Sequence, residues 1–354
     1  MKKIVFTGGG TYGHAMPNVY LIENLKDYEC YYIGSDGIEK RLVEKVVKEY
    51  YTIPAVKLVR GKIFVNLKIP FVLLNAICKA KKTLKKIKPD VVFSKGGYVA
   101  LPVCIAAKML KIPVIAHESD YSFGLANKII LKTCNKMCVN FENLTSKSPK
   151  VVYTGPIFGS NFENTTSKLT SNSKINGQKI KIDPNFPTML VVGGSLGAVK
   201  INEMIFALAK DLQTKMNIIH LTGKGNKKLN SFGNYNAFEM AEDMNKIYNS
   251  VDFVLGRSGA GVTAECYFKK LPMLLIPLEN KASRGDQVQN AEYYVQHGVA
   301  KMIHEYDTNA NLLQKEIEDF YKNLNTYKQK YKAIRPTNGK HKIVEIIKTN
   351  CEQN

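Results

Sequence analysis

A chain of 354 residues can hold two domains with complete cores, and its hydrophobic content of 45% and charged content of 23% are globular values. The longest apolar run, near residues 69–78, is far shorter than a membrane span, which argues against a spanning helix. The net charge of +21 favours an anionic partner: nucleic acid, an acidic membrane surface or a phosphorylated substrate.

The seven cysteines are scattered, odd in number and without a C-x-x-C pair, which predicts a reduced cytosolic compartment. The N-terminal stretch MKKIVFTGGG has an apolar run of only three residues before its glycines. We therefore interpret it as a first strand rather than a signal peptide. The expected protein is soluble, or peripheral to a membrane.

The first half alternates short apolar runs with glycine-rich turns, which is the pattern of a doubly wound α/β domain. Residues 4–6 predict a first strand, and GGGTYGH (8–14) predicts a glycine loop before a helix over about 17–25, with Pro17 in its first turn. This loop lacks the G-x-G-x-x-G spacing of dinucleotide-binding domains, so that hypothesis is weak. The further strands predicted in this half are residues 31–33, 52–56, 91–93, 114–116, 137–139 and 151–153.

Two more polar loops follow predicted strands of the first half. SKGGY (94–98) follows the strand at 91–93, and HESD (117–120) follows the strand at 114–116. Open α/β sheets bind their ligands at the carboxyl ends of the strands. Both loops are therefore candidates for ligand binding.

Residues 67–88 predict a helix whose first half is apolar and whose second half is rich in lysine. This pattern usually indicates a buried helix whose lysine-rich end lies in solvent. An interfacial membrane patch is the competing interpretation, because the whole chain is basic. The residues predicted for that patch are Phe71, Leu74, Lys81, Lys82 and Lys85.

Between residues 160 and 187 the composition shifts to Ser, Thr, Asn and Lys without periodicity, which predicts a connecting region. Strands then follow again, with a third glycine loop at 193–198. We expect an N-terminal domain over 1–159, a C-terminal domain over 160–334, and a last helix (about 335–354) packed back on the first domain. Two doubly wound domains facing each other would form a cleft for a ligand. The strands predicted in this half are residues 189–192, 218–221, 253–255 and 273–276.

The stretch RSGAGVTAE (257–265) carries the strongest chemical signal of the second half. Its glycines and small residues let the backbone approach a ligand, and the unpaired first amides of the following helix suit an anion. Glu265 falls in the first turns of that helix, where a carboxylate can accept hydrogen bonds from two sugar hydroxyls. These features favour a nucleotide site, although glycine-rich turns are common at strand ends in α/β domains.

Six stretches in order resemble the MurG family of peptidoglycan glycosyltransferases over nearly the whole chain. The resemblance implies the two-domain GT-B fold and an inverting transfer of N-acetylglucosamine from UDP-N-acetylglucosamine (UDP-GlcNAc) to the muramyl C4 hydroxyl of lipid I, which gives lipid II. It also implies a peripheral protein on the cytoplasmic face of the cell membrane, against the anionic inner leaflet, with other cell-wall synthesis proteins as candidate partners. The stretches are GGGTYGHAMPN (8–18), FSKGGYVALPVCIAA (93–107), IAHESDYSFGLANKI (115–129), GGSLGAVKIN (193–202), RSGAGVTAE (257–265) and DQVQNA (286–291).

For the donor, the resemblance implies that the glycine loop around Ser195 contacts the diphosphate and that Arg257 lies at the head of the donor motif. Glu265 would bind the ribose hydroxyls, and Gln287 would hold the N-acetylglucosamine. The implied donor residues are Gly194, Ser195, Gly197, Arg257, Ser258, Gly259, Glu265 and Gln287, with Ala241 and Met244 beside the uracil and Asn290 supporting the loop of Gln287.

Three positions depart from the family pattern. Tyr12 stands where the family usually has glycine, Ser119-Asp120 replaces a common Gln-Asn, and TGPIFG (154–159) replaces TGNPVR. The arginine of that last segment would fall on Gly159, or on Phe158 if one residue is deleted. Part of its contact with the donor would pass to Arg257, Lys224 or Arg284. The implied acceptor and diphosphate residues are Thr11, Tyr12, Gly13, Gly96, Gly97, Tyr98, Glu118 and Asp120.

The implied displacement at the anomeric carbon needs a base for the acceptor hydroxyl. His14 is the first candidate, because a neutral imidazole titrates near working pH and this one lies on the first glycine loop. His117 is the second candidate, with a role in holding the acceptor loop as the alternative. The chain has no Asp-x-Asp and no His/Cys ligand spacing, so we expect a transfer step without metal or cofactor.

Two other functions stay open at the level of the sequence. A related transferase would glycosylate diacylglycerol or another lipid, and a catalytically impaired protein would bind the UDP-sugar at the membrane without turnover. Nucleic-acid binding would explain the basic net charge of the chain but none of its motifs. Since no basic-aromatic module of the RNP type occurs, we expect no nucleic-acid partner.

Overall fold

The computed structural model describes residues 1–57, 66–171, 173–226, 229–279 and 284–352. The protein divides into two compact units. The N-terminal unit comprises residues 1–160 together with 337–354, and the C-terminal unit comprises residues 161–336. The C-terminal segment of the chain therefore belongs to the N-terminal unit.

The N-terminal unit is built on a parallel sheet. Its described strands are β1 (Lys3–Thr7), β2 (Glu29–Gly34), β3 (Glu49–Thr52), β4 (Val91–Ser94), β5 (Val114–Glu118), β6 (Lys136–Val139) and β7 (Val151–Tyr153). They lie in the order β3-β2-β1-β4-β5-β6-β7. Val5 pairs with Tyr31 of β2 and with Val92 of β4, so the chain order reverses at β1. This reversal is the switch point of a doubly wound sheet, where ligands usually bind.

The helices of this unit begin directly after its loops. The first helix starts at Tyr12 rather than near residue 17, so Pro17 lies inside the helix and not in its first turn. The third strand also differs from the prediction of 52–56, because residues 49–52 are the ones that pair with β2. The helices are α1 (Tyr12–Ile22), α2 (Ile38–Val43), α3 (Ile69–Ile87), α4 (Ala100–Met109), α5 (Leu125–Thr133) and α13 (Lys340–Glu352), with a 3-10 helix at Glu142–Lys147.

Apolar side chains cover both faces of this sheet, because successive strand residues point to opposite sides. On one face, Val5 belongs to a cluster with Ala80 and Leu84 of α3. On the other face, Phe6 belongs to a cluster with Ile343 of α13. Burial of both faces accounts for the continuous apolar runs of the strands.

The C-terminal unit contains a second parallel sheet. Its described strands are β10 (Thr188–Val192), β11 (Asn217–Leu221), β12 (Tyr235–Phe238), β13 (Phe253–Gly256), β14 (Met273–Leu275) and β15 (Ala300–Met302). They lie in the order β12-β11-β10-β13-β14-β15, and the edge strands β12 and β15 were not predicted. The helices are α6 (Ser160–Asn164), α7 (Val199–Leu212), α8 (Met244–Tyr248), α9 (Ala260–Phe268), α10 (Asp286–Gln296), α11 (Ala310–Lys322) and α12 (Leu324–Lys330), with a 3-10 helix at Tyr331–Ala333.

The connecting region is more ordered than its composition indicates, since it contains α6 and an antiparallel pair of short strands, β8 (Lys174–Ile175) and β9 (Gln178–Lys179). The prediction of two doubly wound α/β domains is confirmed by the two parallel sheets. Within the described ranges, no helix has the length and apolar character needed to cross a membrane.

Candidate functional site

Three loops of the N-terminal unit meet at one edge of its sheet. They follow β1, β4 and β5, which are neighbours in the sheet, and they comprise residues 8–14, 94–98 and 117–124. Gly97 has a φ of +83°, and a Cβ placed on it would lie 3.2 Å from the Gly9 carbonyl and 3.6 Å from His14 Nε2. The second loop therefore touches the first through a glycine that no other residue replaces without strain.

His14 lies in the first turn of α1 and is half-buried. Its Nδ1 lies 2.7 Å from Thr11 Oγ1, at hydrogen-bond distance. When Nδ1 carries the proton and donates to Thr11, Nε2 is the unprotonated nitrogen, as a general base requires. The geometry thus places a histidine with a fixed ring orientation beside Gly97.

Thr11→Val should lower the rate of the reaction about five- to tenfold, because one orienting hydrogen bond of about 1 kcal/mol is lost. Thr11→Ser keeps the hydroxyl and should retain the wild-type rate. The measurement is kcat for both variants under the same conditions. A wild-type rate in Thr11→Val, or a loss in Thr11→Ser as large as that in Thr11→Val, would contradict a role for the hydrogen bond to His14.

Glu118 organises the third loop from within. Its carboxylate accepts hydrogen bonds from the backbone N–H groups of Ser119 at 2.8 Å, Asp120 at 3.0 Å and Gly124 at 2.9 Å, and from Asn127 Nδ2 at 3.0 Å. Only 6% of Glu118 is exposed. Four internal donors thus occupy the Glu118 carboxylate, and the acceptor contact implied for this residue stays a prediction. Asn127, which sequence reasoning missed, joins the loop to α5.

His117 is buried in β5, with 1% of its surface exposed. Among the described residues, neither of its ring nitrogens has a hydrogen-bond partner. Burial, helped by the nearby Lys95 charge, holds the pKa of His117 well below its usual value. This histidine is a neutral interior group, less suited than His14 to direct contact with a substrate.

The first glycine loop is supported by two side chains that contact Gly10. Its backbone N–H donates to Glu39 Oε2 at 3.1 Å, and a Cβ on Gly10 would lie 2.6 Å from the ring of Tyr98. Glu39 is fully buried and also accepts the N–H of Ser35 at 2.9 Å. Glu39 was not singled out from the sequence, because it lies on α2 outside every glycine motif. Thr11, Tyr12 and Gly13 form the exposed tip of this loop.

In the C-terminal unit, the loop after β10 is tied to the loop after β11. Ser195 accepts the N–H of Lys224 at 3.1 Å, and Asn226 Nδ2 donates to Leu196 O at 2.6 Å. A Cβ on Gly197 would lie 1.9 Å from Thr222 O. Ser195 itself is exposed, and no side chain caps the N-terminus of α7 that follows. An anion approaching this loop would meet backbone N–H groups.

The loop before α9 is joined to the first turn of α10. Ser258 Oγ donates to Gln287 O at 2.7 Å, and Asn290 Nδ2 donates to Ser258 O at 3.1 Å. The Gln287 side chain accepts the N–H of Leu278 at 3.0 Å. Among the residues that the structure describes, no atom would lie within 4 Å of a Cβ on Gly259, so the backbone there leaves room for a ligand.

Arg257 is turned into the interior. Its guanidinium donates to Ile276 O at 3.1 Å and to Pro277 O at 2.9 Å, and it pairs with Glu305. Only 8% of the residue is exposed. Arg257, at the head of the implied donor motif, therefore holds the segment after β14, and its contact with the donor stays a prediction.

Glu265 lies in the second turn of α9 and accepts a hydrogen bond from Tyr248 Oη at 2.7 Å. Burial raises the pKa of Glu265 to about 7, and this hydrogen bond opposes the shift. Tyr248 ends α8, whose first residue Met244 closely follows Ala241. The structure therefore brings the 241–244 stretch and Glu265 together through a tyrosine that sequence reasoning missed.

The comparisons with known proteins agree with this architecture. Residues 4–139 match the glycosyltransferase family 28 N-terminal domain, and residues 188–349 match the glycosyltransferase family 28 C-terminal domain. The crystal structure of Acinetobacter baumannii MurG superposes with a TM-score of 0.75 at 24% identity, covering 99% of this chain and 100% of that chain. A UDP co-structure of S. aureus MnaA gives a TM-score of 0.67 at 17% identity, with 98% and 96% covered. These likenesses define a GT-B glycosyltransferase fold.

The sequence relatives identify the family more narrowly than the fold does. The UDP-N-acetylglucosamine–N-acetylmuramyl-(pentapeptide) pyrophosphoryl-undecaprenol N-acetylglucosamine transferase of Clostridium botulinum strain Langeland is 41% identical, covering 98% of this chain and 99% of that protein. The transferase of the same name from Lachnospira eligens is 40% identical, with 99% and 100% covered. The chain belongs to the MurG family, within glycosyltransferase family 28.

Proposed function

We propose that the protein transfers N-acetylglucosamine from UDP-GlcNAc to the muramyl C4 hydroxyl of lipid I, giving lipid II for peptidoglycan synthesis. The observation that carries this proposal is the 41% identity, over almost the full length of both chains, to transferases named for this reaction. The arrangement of loops in both units supports it.

Each unit supplies the groups that one half of the reaction needs. In the N-terminal unit, Nε2 of His14 takes the proton of the acceptor hydroxyl as that oxygen attacks the anomeric carbon. In the C-terminal unit, the backbone N–H groups after Ser195 stabilise the charge that develops on the departing UDP. Glu265 accepts from the ribose hydroxyls, while Gln287, held by Leu278, lies in the loop that binds the sugar.

Transfer of radiolabel from UDP-GlcNAc to a soluble lipid I analogue tests the proposal, with diacylglycerol as the competing acceptor. We expect transfer to the lipid I analogue alone and the same rate in excess chelator, because protein donors suffice for the leaving diphosphate. Tight UDP binding without transfer to either acceptor would contradict the proposal and indicate a UDP-sugar-binding protein. Complete loss of transfer in chelator would show that a metal takes part; no cluster of metal-ligating side chains occurs in the part of the chain that the structure describes.

A membrane-binding role is proposed for the exposed face of α3. Phe71 is 76% exposed and Leu74 is 61% exposed. Lys82 and Lys85 continue the same face about two and three turns after Leu74. The opposite face of the helix is buried in the core. Apolar side chains followed by lysines suit the headgroup region of an anionic leaflet. This arrangement supports a peripheral protein on the cytoplasmic face of the membrane.

Replacement of both Lys82 and Lys85 by glutamine should weaken binding to phosphatidylglycerol-containing vesicles about tenfold or more, since each lysine near an anionic surface contributes about 1 kcal/mol. Vesicle sedimentation at low and high salt measures the change, and wild-type binding should fall with salt. The matched control replaces Lys210 and Lys322, exposed lysines of the C-terminal unit. Equal binding by both double variants would rule out α3 as the membrane contact.

A further inference from the structure

Lys95 is a buried lysine at the carboxyl end of β4, with 2% of its surface exposed. Its backbone N–H donates to Thr7 O at 2.8 Å, which extends the pairing of β1 with β4. A Cβ on Gly8 would lie 2.9 Å from the Cβ of Lys95. The lysine stem therefore runs directly beneath the first glycine loop.

The ammonium group reaches the third loop. Lys95 Nζ donates to Ser119 Oγ at 2.6 Å, which is a neutral acceptor. The neighbouring Glu118 carboxylate is already occupied by four other donors. Lys95 thus connects the loops after β1, β4 and β5 and keeps a positive charge beneath them. The Glu118 and Asp120 carboxylates compensate this charge only in part, because the pKa of Lys95 stays below its usual value. A buried charge that is only partly compensated is costly, and an anion bound nearby would stabilise it.

We propose that Lys95 is a positioning residue for the acceptor: its ammonium holds Ser119 and the 117–124 loop in place and supplies the positive charge that the anionic diphosphate of the acceptor meets. This inference rests on the proposed function, which places a diphosphate-linked acceptor at these loops. Lys95 acts through Ser119 and through its charge at short range, where the protein interior screens less than water does.

The charge of Lys95 depends on pH. The titratable groups that interact with it are His117 of β5, and Glu118 and Asp120 of the third loop. Burial lowers the pKa of Lys95 to about 8, while Glu118 and Asp120 oppose the shift. Lys95 is therefore a cation below about pH 8 and neutral above it, and acceptor binding should weaken on the alkaline side.

The test is the pH profile of kcat/KM for a soluble lipid I analogue at saturating UDP-GlcNAc. Lys95→Met keeps the aliphatic stem and removes the charge. The acceptor KM should therefore rise about tenfold or more, while the donor KM should stay unchanged. The fall of kcat/KM at alkaline pH should disappear in this variant. Ser119→Ala should move the alkaline fall to lower pH, because the ammonium loses its hydrogen-bond acceptor. Lys128→Met, at an exposed position of α5, is the matched control.

A Lys95→Met protein with the wild-type acceptor KM and an unchanged alkaline fall would overturn the inference. Thermal denaturation shows whether Lys95→Met folds. If it does not, Ser119→Ala is the test, and a pH profile of kcat/KM that is not shifted in this variant overturns the inference. If kcat/KM of Lys95→Met falls by the same factor at every pH, the role of Lys95 is purely structural, which also overturns the inference. Absence of transfer by the wild-type protein would instead refute the proposed function, and the two failures are therefore distinguishable.

Discussion

Replacement of His14 by alanine should lower kcat for N-acetylglucosamine transfer about 10²- to 10⁴-fold, which is the usual contribution of a general base. The imidazole is oriented by Thr11 at 2.7 Å, and its Nε2 faces Gly97. Both KM values should change little, because the base acts in the transition state and contributes little to ground-state binding. Initial-rate kinetics with radiolabelled donor measure kcat and both KM values separately.

Added imidazole should restore part of the activity of the His14→Ala variant, since it fills the space that the ring has left. His297→Ala is the matched control, because His297 is exposed on the C-terminal unit and belongs to neither set of loops. A His14→Ala protein within about threefold of the wild-type kcat would place the base elsewhere. His117 would then be the next histidine to replace, despite its burial.

Replacement of Glu265 by glutamine should raise the donor KM on the order of 10²- to 10³-fold. A carboxylate that accepts from two ribose hydroxyls makes two charge-assisted hydrogen bonds, each worth about 1.5–3 kcal/mol. Calorimetric titration with UDP alone should show the same loss, since the ribose is part of UDP. Glu292→Gln, at an exposed position of α10, is the control and should bind UDP normally.

The pH dependence of donor binding distinguishes this role from a structural one. Burial raises the pKa of Glu265 to about 7, and the ionised form is the one that accepts from both hydroxyls. UDP affinity should therefore rise as the pH increases through about 7. Tyr248→Phe removes a hydrogen bond that lowers this pKa, so the rise should move to higher pH. A pH-independent affinity in both proteins would contradict the assignment of Glu265 to the ribose.

The sequence determined the fold class and the position of the loops. Short apolar runs gave the strands, because strands buried on both faces of a parallel sheet need continuous apolar residues. Glycines marked the loops, because positive φ at Gly97 and Gly197 excludes most other residues. The edge strands β12 and β15 were not predicted, because both have mixed polarity: β12 is YNAF, and β15 is AKM with a lysine at its centre.

The direction of each side chain was decided only by the tertiary structure. Arg257 and Glu118 lie in the motifs that the sequence identified, yet their charged groups bond to interior partners. Conversely, Tyr248 lies outside every motif, and Lys95 lies inside one without being singled out there. Both act through contacts with residues 17 and 24 positions away in the chain. A local pattern specifies backbone conformation and burial, whereas hydrogen-bond partners depend on which strand ends the sheet brings together.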